Sequence, residues 1–274
     1  MSTAPYKPLD ARFTALSAEA AFHTCLCAEF VYYRSAESWP DRLRILRDLQ
    51  TIDERYTDVR GEKIDNSEAI IAVHDDYVVI AFAGTNEGAD WASNFDWFPA
   101  EKNGGKFHRG FYECFEELWP WIEATLAELN AERVRPIYIA GHSLGGAIAT
   151  CCAAYFNYLD RPFMSLYTFG SPRAAERDTA VKYDVLARSR TFRFQLSADV
   201  VTRLPARIAG YSHTGTTLFV DDEGVIHTDP GWWLRFLDFV RVVTEDIMTL
   251  DLSTIVDHDI RGYRRAIDAW RVTQ

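Results

Sequence analysis

The chain has 274 residues and a net charge of −11, with 48% apolar and 14% aromatic residues, so it is long and apolar enough to bury a large core rather than remain disordered. The acidic balance excludes nucleic acid as a partner, because phosphate-backbone binding requires clustered lysine and arginine, and it disfavours a strongly anionic membrane surface.

Helical apolar spacing runs through 17–33 after Ser17, and 41–55 reads as a charged helix. Glu68–His74 and Tyr77–Ala83 are β-rich runs with Asp75-Asp76 between them, the pattern of a hairpin. Residues 84–106 read as irregular. A helix is expected over His108–Asn130, kinked or split at Pro120. The apolar stretch Pro136–Ala140 then runs into Gly-His-Ser-Leu-Gly (141–145), followed by a helix of small residues over Leu144–Tyr158. Further apolar runs at Met164–Phe169 and Thr191–Leu196 flank a helix at 175–187. Short strands are expected at 217–220 and 225–228, joined through Asp221–Gly224, and 232–249 and 252–271 read as helical. Strands alternating with helices imply βαβ units, and the whole reads as one α/β-hydrolase domain over 1–274. Its central sheet is mostly parallel and flanked by helices.

The G-x-S-x-G stretch carries the chemistry. A serine at the apex of a strand–turn–helix reversal takes a strained backbone angle, and its hydroxyl is thrown clear of the sheet. Gly141 and Gly145 flank it because a Cβ would crowd so tight a turn. Ser143 is therefore the candidate nucleophile. His142 is adjacent, points elsewhere and reads as a packing residue. A serine hydroxyl needs a base and a group that orients the base, in the chain order Ser, acid, His on this fold. Asp199, three residues after Thr191–Leu196, fits as the acid, although its position serves equally well for a residue starting a turn. His213, His227 and His258 follow, and His258 fits as the base; beside Asp257 and Asp259 it also fits a surface histidine. An oxyanion hole would take one amide from Leu144 and another from Thr85, in the loop Ala83-Gly84-Thr85-Asn86. No metal or organic cofactor is required.

These stretches together resemble the class 3 lipases, the fungal-type triacylglycerol lipase family. The resemblance rests on Phe-Ala-Gly-Thr (82–85), Asp90-Trp91 with Asn94-Phe95-Asp96, His-Arg-Gly-Phe (108–111) and Gly-His-Ser-Leu-Gly-Gly-Ala (141–147). It continues through Tyr-Thr-Phe-Gly-Ser-Pro-Arg (167–173), Asp-Val-Val-Thr-Arg-Leu-Pro (199–205) and Tyr-Ser-His-Thr-Gly (211–215). It implies Ser143 as nucleophile, Asp199 as acid, His258 as base, and Thr85 and Leu144 as oxyanion donors. His213 falls in a motif that supports the active-site wall. Two departures stand out: Ala83 replaces the family's frequent Arg, and the aromatic residue after His258 is five positions on, at Tyr263. Residues 86–98 occupy the place of the family's lid, where Trp91, Phe95 and Trp97, together with His213, are candidate substrate contacts.

The implied function is a serine carboxylic-ester hydrolase acting on acylglycerols or related esters with apolar acyl chains, through an acyl-enzyme. Its partners are a lipid or small ester and, transiently, a lipid interface. An acyltransferase and a catalytically silent binding protein are the alternatives on the same fold. The N-terminus shows no apolar leader, and no run approaches the ~18 apolar residues of a membrane span. Cys25, Cys27, Cys114, Cys151 and Cys152 are odd in number and read as free thiols. A cytoplasmic location is expected on these grounds, with secretion after a trimmed signal as the alternative.

Overall fold

In a computed structural model, an eight-stranded sheet runs in the order β1-β2-β3-β6-β7-β9-β11-β12. The structure describes residues 9–10, 14–34, 39–84, 98–131, 133–197, 199, 201–205, 207–231 and 258–273. The strands are β1 (Tyr56–Ile64), β2 (Ser67–His74), β3 (Val78–Phe82), β6 (Ile137–His142), β7 (Ser165–Phe169), β9 (Thr191–Leu196), β11 (Thr216–Val220) and β12 (Ile226–Thr228). From β3 through β11 neighbouring strands are parallel, whereas β1, β2 and β12 pair antiparallel at the two edges. The parallel strands are buried on both faces, which is why they read as continuous apolar runs. Fold class and strand direction agree with the sequence reading.

Helices cover both faces. On one lie α1 (Ala18–Phe30) and the C-terminal α6 (Ile260–Val272), whose Tyr263 and Ile267 join the core with Phe169, Phe192 and Phe194. On the other lie α3 (Arg109–Asn130) and α4 (Leu144–Tyr158), with Phe115, Ile122, Ile148 and Phe156 packed over Ile80 and Ile139. α1 begins where the Ser17 side chain accepts the Ala20 amide at 3.2 Å, and α3 begins where His108 Nδ1 accepts the Phe111 amide at 3.5 Å. The small residues of α4 let it sit close to the sheet, with Ala147, Ala149, Cys151 and Cys152 fully buried.

Several boundaries differ from expectation for physical reasons. Pro120 does not split α3; it sits on the exposed face, where water can satisfy the carbonyl that loses its partner. The short α2 (Arg42–Gln50) stops before 55. β1 was hidden in sequence because it is a charged edge strand, with Arg60 paired to Asp58 and Lys63 to Glu68. Within 84–106 a hairpin forms between β4 (Pro99–Lys102) and β5 (Gly105–His108), closed by Asn103-Gly104 with Gly104 at φ +93°. That dipeptide is a strong hairpin signal. With β8 (Ala175–Glu176), which leads into α5 (Arg177–Ala187), and β10 (Tyr211–Ser212), this hairpin makes a second, four-stranded sheet.

Candidate active site

Backbone crowding builds the reversal at residue 143. β6 ends at His142 and α4 starts at Leu144, so Ser143 makes the turn alone at φ +58° and ψ −133°. Such a conformation costs a non-glycine residue on the order of 1–3 kcal/mol. It is held by the Ser143 amide donating to the Phe169 carbonyl at 2.9 Å and by the Gly146 amide donating to the Ser143 carbonyl at 2.9 Å. Space dictates the flanking glycines: a Cβ on Gly141 would lie 2.1 Å from the Gly145 carbonyl oxygen, and one on Gly145 would lie 2.2 Å from that of Phe82. Leu144, as the first residue of α4, carries an amide that the helix cannot satisfy internally, at the positive end of its dipole.

Asp199 and His258 meet beside this turn. His258 donates Nδ1–H to Asp199 Oδ2 at 2.9 Å. The Tyr263 hydroxyl donates to the same Oδ2, and the Val201 amide donates to Oδ1 at 3.0 Å. Three donors thus satisfy a carboxylate whose side chain is 0% exposed. With the proton on Nδ1, the neutral ring keeps its lone pair on Nε2, which is buried and has no hydrogen-bond partner among the described residues. The pair sits over Gly170, at φ +63°, where a Cβ would lie 2.6 Å from Asp199 Oδ2 and 2.9 Å from His258 Cε1. The preceding residue, Phe169, is the one whose carbonyl holds the Ser143 amide. Nucleophile, acid and base candidates therefore converge on the C-terminal end of β7.

The Ser-Pro-Arg stretch and His213 brace the acid's loop. Arg173 donates its backbone amide to the Leu204 carbonyl at 2.7 Å and its guanidinium to the carbonyls of Arg203 and, at 2.7 Å, Pro205. Burial, with Arg207 and Arg203 nearby, lowers its pKa to about 10. His213 donates Nε2–H to the Thr202 carbonyl at 2.7 Å, and the Thr202 hydroxyl donates to the Asp199 carbonyl at 2.8 Å. Burial, then Arg193 and Arg173, push the His213 imidazole well below its usual pKa, so it stays neutral. His213 thus reaches the Asp199 backbone through Thr202.

On the other side, β3 delivers Gly84 against the turn. A Cβ on Gly84 would lie 3.3 Å from Ser143 Cβ. The Gly84 amide is taken by Tyr32 Oη at 2.8 Å, so it is not free to receive an oxyanion. Thr85 itself, and with it Trp91, Phe95 and Trp97, lies outside the described residues. Phe98, at the end of the lid-like segment, is 59% exposed. Sequence reasoning missed three polar partners. His142 donates Nε2–H to the His258 carbonyl at 2.7 Å and so does more than pack. Tyr32, 110 positions from His142, left no local signal. Tyr263 is the aromatic residue whose spacing stood out as a departure, and its hydroxyl serves Asp199.

Residues 79–208 match the family model for lipase (class 3). Over that stretch the chain is similar to the class 3 lipases. It is 33% identical over 148 residues to secreted mono- and diacylglycerol lipase 1 of Fusarium solani, covering 53% of this chain and 44% of that one. It is 28% identical over 178 residues to secreted mono- and diacylglycerol lipase A of Penicillium cyclopium, covering 64% of this chain and 53% of the relative. The chain thus spans about half the length of the curated relatives it matches. In fold it is similar to the Rhizomucor miehei lipase in its propeptide complex, with a TM-score of 0.62 and 24% identity, covering 77% of this chain and 70% of that one.

The relatives correct one expectation. Two are named as secreted lipases, which overturns the cytoplasmic placement. The thiol argument behind it fails on packing. Cys25, Cys27, Cys151 and Cys152 are buried, and burial raises their pKa, that of Cys27 to about 12. A thiol sealed in a core and kept protonated reports the packing around it and not the redox state outside.

Proposed function

We propose that the chain hydrolyses carboxylic esters with apolar acyl chains, acylglycerols foremost, through an acyl-enzyme on Ser143. The observation that carries this reading is the buried Asp199–His258 pair, with Nε2 unpartnered among the described residues, set beside a serine held at φ +58°. His258 Nε2 takes the Ser143 proton as Oγ attacks the ester carbonyl. Asp199 fixes the imidazole tautomer and stabilises the imidazolium that forms. The Leu144 and Thr85 amides receive the oxyanion, each worth about 2.7–4 kcal/mol of transition-state stabilisation. His258 then protonates the leaving alcohol, and water resolves the acyl-enzyme by the same route in reverse.

The names of the relatives, mono- and diacylglycerol lipases, favour acylglycerols as the substrate class. The aromatic segment 86–98 is assigned to the acyl chain and to transient contact with a lipid interface, and Phe98, already exposed, is its anchor on that surface. Residues 1–274 act as one α/β-hydrolase unit in this reading. The test is a fluorophosphonate probe and a p-nitrophenyl ester series on the wild-type chain and Ser143→Ala. Wild type is expected to be labelled and to turn over, and the variant to do neither. Hydrolysis by Ser143→Ala at near wild-type rate would place the nucleophile elsewhere and sink the proposal.

A further inference from the structure

Resting on the esterase reading above, we propose that Tyr32 and His142 form a positioning bridge that sets the base His258 and the Gly84 end of β3 relative to each other. The bridge crosses the site in three hydrogen bonds whose directions are all fixed. The Gly84 amide can only donate, so Tyr32 Oη accepts it at 2.8 Å. The His258 carbonyl can only accept, so His142 carries its proton on Nε2 and donates at 2.7 Å. A neutral ring protonated on Nε2 leaves Nδ1 as an acceptor, and the Tyr32 hydroxyl supplies its hydrogen there at 3.3 Å. Ring contacts reinforce the chain. The His142 and His258 rings lie 4.7 Å apart at 31°, and Tyr32 meets His142 edge-on with centroids 6.1 Å apart.

The two attachments of His258 differ in what they control. Asp199 holds the ring at Nδ1 and sets its tautomer. His142 holds the backbone carbonyl of the same residue, and the two points together fix where Nε2 aims. The opposite end of the bridge holds the Gly84 amide, just past the end of β3 and close to Ser143. The base and the Gly84 end of β3 are thereby referenced to one imidazole next to Ser143. A displacement of about 1 Å in such a site costs on the order of 100-fold in rate. The bridge also keeps one protonation state, because burial and the neighbouring His258 hold the His142 pKa down at about 3. A second ring proton would face the Tyr32 hydroxyl and reverse the middle bond.

The test uses the full chain, a short-chain p-nitrophenyl ester, and the variants His142→Phe, His142→Gln and Tyr32→Phe, each checked for folding by circular dichroism. A glutamine can return a side-chain N–H to the His258 carbonyl while losing the Tyr32 end. His142→Phe is expected to lower kcat by roughly 30–100-fold with KM within about twofold, His142→Gln to recover most of that loss, and Tyr32→Phe to lower kcat by roughly 5–10-fold. Wild-type kcat in both Phe variants, or equal losses for Gln and Phe at position 142, overturns the bridge. If His142→Phe does not fold, Tyr32→Phe decides: a kcat loss at constant KM supports the bridge, and unchanged kcat overturns it. Histidine 15N NMR reads the bridge without turnover. Tyr32→Phe should shift both His142 Nδ1 and the His258 ring, and an unmoved His258 signal overturns the inference. Should those shifts appear while wild type hydrolyses no ester, the esterase reading is what fails.

Discussion

Replacing Asp199 by asparagine tests the acid–base assignment most sharply, because the surroundings dictate how the amide must sit. Oδ1 receives the Val201 amide at 3.0 Å, so the asparagine oxygen must stay there; turning the NH2 onto Val201 would set donor against donor and leave a buried N–H unsatisfied, at about 1–3 kcal/mol. The NH2 group therefore occupies the Oδ2 position, where His258 Nδ1 now lies 2.9 Å away. Tyr263 can rotate its hydroxyl hydrogen and accept, but His258 can satisfy an N–H donor only by giving up its Nδ1 proton. The ring switches to the Nε2–H tautomer and can no longer take a proton from Ser143. The expected loss is about 10⁴-fold in kcat, or roughly 5.4 kcal/mol at 1.36 kcal/mol per decade. Because the swap is nearly isosteric and removes a buried charge, the melting temperature should move by only a few degrees. Initial rates on p-nitrophenyl butyrate and a thermal melt give both numbers. A rate within tenfold of wild type, in a folded variant, would refute the assignment of Asp199.

Other expectations follow from the same packing. His142 stays neutral in the folded chain down to about pH 3, whereas an unfolded imidazole protonates near 6.5. The unfolded state thus binds the extra proton first as pH falls, and stability should drop by about 1.4 kcal/mol per pH unit from roughly pH 6.5 to pH 3 for this group. His213, shifted in the same direction, adds to the slope. Urea midpoints at pH 7, 6, 5 and 4 should show a shallower slope for His142→Gln than for wild type, and identical slopes would count against a buried neutral His142. Gly145→Ala, with its Cβ 2.2 Å from the Phe82 carbonyl oxygen, should destabilise by about 3 kcal/mol or more in urea; wild-type stability would mean the turn has more room than described. Cys25, Cys27, Cys151 and Cys152 should resist a thiol reagent in the native chain and react once it is unfolded, with fast native labelling at any of the four as the contrary result.

What the sequence disclosed follows from where each signal is encoded. The parallel strands were legible because burial on both faces demands unbroken apolar runs, and the turn at Ser143 because steric crowding demands glycine at 141 and 145. β1 was not, since an edge strand carrying Asp58, Arg60, Glu62 and Lys63 looks like a solvated loop. The β4–β5 hairpin is marked in sequence only by Asn103-Gly104, because the surrounding residues lack alternation. Ser143, Asp199 and His258 could be put in order because the fold constrains the order of the elements that precede or follow them. The bridge through Tyr32 could not, because a hydrogen bond between residues 110 positions apart is a property of packing alone.

The two halves of the site are held by different kinds of force, and this determines how each will fail. Ser143 is set by backbone: two main-chain hydrogen bonds and carbonyl groups pressed so close to Gly141 and Gly145 that no side chain fits. Moving it means breaking the junction of β6 and α4 in the core. His258 is set by side chains from β6, the loop after β9 and, through Asp199, Tyr263 on α6. Each of those bonds can be removed singly without unpacking the sheet, at about 1–3 kcal/mol apiece. Partial perturbation, by a substitution or by acid, should therefore misplace the base long before it disturbs the nucleophile. The expected signature is a folded chain whose Ser143 remains correctly built and reacts slowly, with kcat falling well ahead of the loss of structure.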